Sequence, residues 1–119
     1  MIRLAQLTIP VSDLSASVAF YEAAFGAQAV FVSQEYGWAQ LDGLAVGLAL
    51  YVPGKGGGTG KLGGSLDFQL VAESLKEVRD QLPASATNVG FYENADGSTT
   101  LEFADLDGNE VKMFQGVSA

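Results

Sequence analysis

Three charged side chains at alternating strand positions are the best candidates for chemistry: Asp67, Glu102 and Lys112. Lys112 could hold a carboxylate or a phosphate as a point charge, or act as a general base if burial favoured its neutral form. Asp67 and Glu102 could together bind a metal ion at an irregular site. We favour the simpler interpretation, in which these carboxylates or Glu110 pair with Lys112 or face solvent.

The composition removes the commonest catalytic and metal-binding side chains. The 119 residues include no cysteine and no histidine. A disulfide framework, a thiolate metal site and an imidazole base are therefore excluded. The net charge is −8 and the pI is about 4.1, which excludes the basic surface that nucleic acids require. The acidity either keeps the protein soluble, which we favour, or attracts a cationic ligand.

The hydropathy pattern predicts a globular protein rather than a membrane or secreted one. The N-terminal residues lack a basic start followed by an apolar run, and no span approaches the ~20 apolar residues that cross a bilayer. We therefore expect no membrane partner and a cytoplasmic location. With 48% hydrophobic and 17% charged residues in 119, one compact domain is expected.

Alternating and helical hydrophobic periods predict eight strands and two helices. The first helix follows a cap at Ser12 or Asp13 and ends at Gly26. The second begins after Ser74, as a capping box, and stops before Pro83. The strands are predicted over residues 4–11, 27–33, 36–41, 44–52, 65–71, 86–93, 98–104 and 110–115.

The predicted order, βαβββ, occurs twice in the chain. Residues 65–69 repeat the pattern of residues 6–10 about 59 positions later. Two such halves are too small to fold alone, so one pseudo-symmetric α+β domain is expected. We expect module one at residues 1–53, a glycine-rich connector at 54–64 and module two at 65–119. The connector lacks the spacing of a phosphate-binding loop and is interpreted as flexible.

Two local signatures resemble the vicinal oxygen chelate superfamily, which includes glyoxalase I, extradiol dioxygenases and bleomycin resistance proteins. The first is LTIPVSDLSASVAFY at residues 7–21, followed by Phe25-Gly26. The second is FADLDGN at residues 103–109, where Leu106 replaces the family's proline. The resemblance implies two βαβββ modules whose U-shaped mixed sheets surround a cleft. Strand alternation then predicts the ligand-binding lining of that cleft: Gln6, Thr8, Trp38, Gln40, Tyr51, Ser65, Asp67, Glu102, Lys112 and Phe114.

The resemblance also implies four metal-ligand positions, one on the first and last strand of each module. Carried over, they fall on Gln6, on Ala49 or Gly47, on Ser65 and on Lys112. A divalent ion there would meet one amide, a side chain without a donor atom, a hydroxyl and a repelling ammonium. We therefore expect no metal and no other cofactor.

Two functions remain open at this stage. The first, which we favour, is a metal-free binder of a small molecule, the acidity favouring a cationic one, built as a homodimer like the bleomycin resistance group. The second is a glyoxalase-like lyase or isomerase, with a non-standard metal site or with Lys112 and a carboxylate as base and acid. A third possibility is that side chains fill the cleft and the protein acts only through its partners.

Overall fold

The secondary structure follows the predicted double βαβββ order. The structure, a computed structural model, describes residues 1–116. The elements are β1 (Gln6–Pro10), α1 (Leu14–Phe25), β2 (Gln28–Ser33), β3 (Trp38–Asp42), β4 (Gly47–Tyr51), β5 (Leu70–Ala72), α2 (Leu75–Gln81), β6 (Thr87–Glu93), β7 (Thr99–Ala104) and β8 (Glu110–Gln115). The α+β class and the two-module architecture are confirmed.

The strands form two mixed four-stranded sheets. Sheet 1 has the order β1-β4-β3-β2, and sheet 2 has the order β5-β8-β7-β6. In each sheet the first strand of the module runs parallel to the last, and the other neighbours are antiparallel. The chain divides into two compact units, Met1–Leu62 and one that begins at Gly63. The finer division at residues 53 and 64 stays a prediction.

Both helices begin at the predicted caps. The Asp13 side chain accepts a hydrogen bond from the Ala16 N–H, and the Ser74 side chain accepts one from the Glu77 N–H. These bonds satisfy amides that the first turn of a helix leaves without a partner. Gly26 ends α1 in the left-handed region at φ 65°, where a residue without a Cβ is favoured.

One face of each sheet is apolar and buried. In sheet 1 this face includes Ile9, Ala39, Leu41, Leu48 and Leu50, and α1 contacts β2, β3 and β4. In sheet 2 it includes Leu101, Phe103, Val111 and Met113, and α2 contacts β7 and β8. We call these the helix faces and their opposites the open faces. No helix within residues 1–116 is long and apolar enough to span a membrane.

The fifth strand is shorter than its alternation predicts. A strand is predicted over residues 65–71, but β5 comprises only Leu70–Ala72, and Ser65 makes an isolated parallel bridge with Glu110. The next pair along joins Leu70 to Met113. Between the Ser65–Glu110 pair and this one, the β5 segment has four residues and β8 has two. Paired strands advance by equal steps, so the surplus residues leave the ladder. The helix caps Asp13 and Ser74 lie 61 positions apart, two more than the offset of 59 between residues 6–10 and 65–69, which matches the two surplus residues.

Two of the four edge strands, β2 and β6, each carry a one-residue bulge that the sequence did not reveal. In β2, Val30 is the extra residue between the pairs that Ala29 and Phe31 make with β3. In β6, one extra residue lies between the pairs that Thr87 and Gly90 make with β7. The second bulge includes Asn88 at φ 52°. Bulges of this kind twist an edge strand and redirect side chains next to binding sites.

Candidate functional site

Half of the predicted lining lies on the open face of sheet 1. Trp38 pairs with Tyr51, Gln40 pairs with Ala49, and Ala49 in turn pairs with Thr8. Cross-strand partners project from the same face of a sheet. The structure therefore brings together five predicted residues: Gln6, Thr8, Trp38, Gln40 and Tyr51. Their role as ligand-binding residues stays a prediction.

The glycine-rich segment covers part of this face. A methyl group on Gly57 would lie 2.8 Å from Trp38 Cε3, and one on Gly58 would lie 2.9 Å from Tyr51 Cε2. A methyl group on Gly60 would meet the Tyr51 hydroxyl. Tyr51 is accordingly only 7% exposed. Residues 57–60 thus pack on sheet 1, which differs from the flexible connector that the composition suggested.

Two of the three charged residues in the predicted lining, Glu102 and Lys112, lie on the open face of sheet 2. Glu102 is directly opposite Lys112, and Thr100 is directly opposite Phe114. Glu110 shares this face, since it lies two positions before Lys112 on β8. Ser65 also reaches it, because its Oγ donates a 2.7 Å hydrogen bond to Glu110 Oε2. Asp67 lies outside the strands and is exposed.

Lys112 makes no ion pair of 4.0 Å or less within residues 1–116. The ion pairs found there join Lys76 and Arg79 to Asp80 on α2. Glu102 is the direct cross-strand neighbour of Lys112, so the predicted pairing has the correct strand position but not the contact. The Lys112 ammonium and the Glu102 carboxylate are both half-buried and both remain available to a ligand.

A pocket of about 400 Å³ lies on sheet 2 beside the β6 bulge. Its lining is Asn88, Val89, Tyr92, Glu102, Phe103, Ala104, Gly108 and Glu110. The two carboxylates are diagonal neighbours on adjacent strands, a spacing of roughly 7 Å. No basic side chain lines the pocket. We call it the acidic pocket.

Sequence reasoning found Glu102 in this pocket but missed Asn88, Tyr92 and Glu110. Glu110 alternates with Lys112, so strict alternation along β8 would have included it. The signal for the bulge was Asn88 followed by Gly90 inside a predicted strand, since both residue types tolerate irregular backbone. Tyr92 carried no separate signal.

The residues at the implied metal positions do not fit a metal ion. Gln6 lies opposite Gly47, which offers no donor and whose added methyl would lie 3.1 Å from Gln40 Nε2. Ser65 donates its hydroxyl to Glu110, and Lys112 is an ammonium. No group of three or more carboxylate, imidazole or thiol side chains able to hold a metal occurs within residues 1–116.

The family follows from the sequence and agrees with the fold. The Glyoxalase/Bleomycin resistance protein/Dioxygenase superfamily profile matches residues 3–113. The chain belongs to this superfamily, as its two signatures indicated. No curated protein sequence matches the chain.

Solved structures confirm the fold over nearly the whole chain. A superfamily member from Sphaerobacter thermophilus is 23% identical, with a TM-score of 0.74 and coverage of 96% of this chain and 97% of that chain. A lactoylglutathione lyase from Agrobacterium tumefaciens is 20% identical, with a TM-score of 0.77 and coverage of 96% and 93%. A bleomycin-binding protein complexed with bleomycin is 18% identical, with a TM-score of 0.68 and coverage of 98% and 99%. At these identities the likeness shows the fold alone.

Proposed function

We propose that this protein is a metal-free binder of a small organic cation, held in the acidic pocket. The observation that carries the proposal is that Glu102 and Glu110 both line a pocket of about 400 Å³ that no basic side chain lines. Two nearby carboxylates stabilise a positive charge placed between them, and their attraction must exceed the repulsion from Lys112, which lies opposite Glu102 on the same face. Tyr92, which is 52% exposed, offers a ring face to the same cation.

Two further observations support this choice. The net charge of −8 attracts cations to the whole surface. A protein of similar fold, the bleomycin-binding protein described above, was solved in complex with bleomycin, which supports a small-molecule ligand here. The implied metal positions, by contrast, offer poor ligands here, which favours binding over metal-assisted chemistry.

Calorimetric titration with benzyltrimethylammonium tests the proposal. This probe combines a quaternary cation with a ring, and benzyl alcohol serves as its neutral counterpart. We expect saturable binding of the cation and at least about fivefold weaker binding by Glu102→Gln, because one carboxylate contact on a partly exposed surface is worth about 1 kcal/mol.

Glu93→Gln is the matched control, since it removes the same charge from β6 outside the acidic pocket. Its affinity for the cation should stay within about twofold of the unmodified protein, because distant exposed charges are screened by salt. Equal losses in both variants would reduce the effect to net charge and would overturn the assignment to the pocket. Equal binding of benzyl alcohol would do the same.

A glyoxalase-like lyase or isomerase is the second candidate. The observation that favours it is the direct cross-strand position of Glu102 and Lys112, an acid and a potential base on one face. Formation of the thioester lactoylglutathione from glutathione and the corresponding 2-oxoaldehyde, followed with the purified protein, tests it; the thioester is named for the lyase of similar fold. If the protein catalyses this reaction and Lys112→Gln abolishes the turnover, the protein is an enzyme, since a binder does not convert its ligand.

Metal analysis separates the two candidates independently. The protein should be purified without a nickel column, so that bound metal reflects its own affinity. We expect less than stoichiometric zinc, nickel, manganese or iron, because the available donors are poor ligands for these ions. A stoichiometric transition metal would refute the metal-free binder.

We further infer a cytoplasmic homodimer. The support for the dimer is an exposed apolar run on the edge strand β2, where Val30, Phe31 and Val32 are 59%, 53% and 45% exposed. Exposed apolar runs on edge strands are typical of association surfaces. Sedimentation of the protein and of Phe31→Glu tests this inference: a dimer that the substitution converts to a monomer supports it, and a monomeric unmodified protein contradicts it.

A further inference from the structure

Lys55 lies in the glycine-rich segment beside two aromatic side chains. A cavity of about 270 Å³ is lined by Tyr36, Trp38, Lys55, Gly56 and Gly57. All five belong to the first compact unit, and none of them lines the acidic pocket. The inference drawn from this cavity therefore does not rest on the function proposed above.

The position of Lys55 is fixed by its surroundings. Gly37 is buried at φ 59°, and a methyl group on it would lie 2.8 Å from Lys55 Cδ. The aliphatic part of Lys55 therefore lies against Gly37, in space that a methyl group on Gly37 would enter. The Lys55 N–H donates to the Val52 carbonyl, and its Nζ donates to the Gln34 carbonyl at 3.4 Å. A long side chain that is anchored in this way has less entropy to lose when it binds a ligand.

The donors at this cavity have spare capacity. The Lys55 ammonium makes no ion pair of 4.0 Å or less within residues 1–116, and its contact with Gln34 uses one of three hydrogen atoms. The N–H groups of Gly56 and Gly57 donate no hydrogen bond to the described part of the chain. An ammonium beside unpaired amides is an arrangement that binds anions. Because the whole chain has a net charge of −8, any attraction of an anion to this cavity must come from these nearby groups.

The remaining wall of the cavity is aromatic. Tyr36 is 63% exposed, and the Trp38 ring lies against Gly57. A cavity of roughly 150 Å³ is enough to hold benzene. A volume of about 270 Å³ therefore accommodates one ring together with a carboxylate. A cation would be repelled by Lys55, and an aliphatic acid would lose the contact with the two rings.

The geometry points to a second ligand site, at which Tyr36 and Trp38 contact the ring of a monocyclic aromatic carboxylate while Lys55 and the amides of Gly56 and Gly57 bind its carboxylate. Trp38 is the only tryptophan of the chain, so its fluorescence and its indole N–H resonance report on this site directly. Benzoate is the probe, with benzamide as its neutral counterpart and cyclohexanecarboxylate as the acid without an aromatic ring.

Benzoate should perturb the Trp38 signals in a saturable way, and Lys55→Gln should weaken its binding by about fivefold. Benzamide and cyclohexanecarboxylate should each bind several-fold more weakly than benzoate. Lys61→Gln is the matched control, since Lys61 belongs to the same segment but does not line the cavity. Its affinity for benzoate should stay within about twofold of the unmodified protein.

Gly37→Ala tests the positioning of Lys55 without changing any charge. It should weaken benzoate binding, because the added methyl occupies the place of the Lys55 Cδ. If this variant fails to fold, Lys55→Gln still decides the matter. Non-saturable titration, equal binding of benzamide, or equal losses in Lys55→Gln and Lys61→Gln would each overturn the site. Glu102→Gln should leave benzoate binding unchanged, so this inference and the proposed cation site can fail separately.

Discussion

The open faces of the two sheets share a topology and differ in what covers them. On sheet 1, Tyr51 is 7% exposed beneath the glycine-rich segment. On sheet 2, Tyr92 is 52% exposed at the edge of the acidic pocket. A repeated backbone therefore leads to two unlike surfaces: an aromatic one covered by the glycine-rich segment, and a charged one that carries Glu102, Glu110 and Lys112. The difference lies in the segment between the modules rather than in the strand order.

The two ends of that segment are also held by different forces. Gly57, Gly58 and Gly60 lie against the Trp38 and Tyr51 side chains at distances that exclude a Cβ. Gly63, by contrast, donates its N–H to Asn109 Oδ1 at 2.9 Å, and the Gly64 carbonyl accepts from the Glu110 N–H at 3.0 Å. Steric fit therefore holds the first end of the segment on sheet 1, and hydrogen bonds hold the second end at Gly63 and Gly64. Substitutions at the two ends are therefore expected to destabilise the protein for different reasons.

The largest effect is expected at the hydrogen-bonded end. Asn109 is fully buried, and besides accepting from Gly63 it donates its Nδ2 to Asp105 Oδ2 at 2.9 Å. Asn109→Ala should lower the free energy of unfolding by about 2–4 kcal/mol, because the Gly63 amide and the Asp105 carboxylate each lose a buried partner. Urea denaturation followed by circular dichroism measures the loss.

Asn94→Ala is the control for this prediction. Asn94 donates hydrogen bonds to the hydroxyls of Ser98 and Thr100 in the other hairpin turn of sheet 2, but it is only half-buried. Its loss should be about 1 kcal/mol, since Asn94 is only half-buried and water can replace part of its hydrogen bonding. Equal losses at Asn94 and Asn109 would show that burial does not distinguish the two turns.

The second effect is expected at the sterically fitted end. Gly57→Ala should destabilise the protein by about 1–3 kcal/mol, because its methyl would lie 2.8 Å from the Trp38 ring and the segment would have to move. The Trp38 emission should shift towards that of a more exposed indole. Denaturation with fluorescence detection measures both results in one experiment.

Two other glycines of the segment separate the causes. Gly64 has open space around it and Gly54 has open space but φ 88°. Gly64→Ala should be nearly neutral, and Gly54→Ala should cost about 1 kcal/mol from backbone strain alone. Neither should change the Trp38 emission. An emission change in Gly64→Ala would contradict a contact confined to residues 57–60.

The sequence predicted those features of the fold that depend on local pattern. Alternation placed Leu101 and Phe103 on the helix face and Glu102 on the open face, and the residue types at Asp13 and Ser74 marked both helix starts. These signals reside within a few neighbouring residues. The family signatures rest on the same short stretches, which is why they matched.

The sequence could not predict features that depend on a distant partner. The length of β5 is set by the register of β8, and alternation within residues 65–71 contains no information about that register. Likewise, a run of glycines is equally compatible with a flexible connector and with a close approach to Trp38 and Tyr51. The acidic pocket was missed in part because it depends on a bulge.

The smallest effect is expected at the two bulges, which compare the edge strands directly. Asn88 has φ 52°, whereas Val30, the extra residue of the β2 bulge, is not among the residues with positive φ. Asn88→Val should cost about 1–2 kcal/mol, because a β-branched side chain fits the left-handed region poorly. Asn88→Gly should be neutral or slightly stabilising, since glycine adopts a positive φ without steric cost. Since Asn88 lines the acidic pocket, Asn88→Val should also weaken benzyltrimethylammonium binding while leaving benzoate binding unchanged. Equal effects on both probes would mean that the bulge supports the whole fold rather than the pocket beside it.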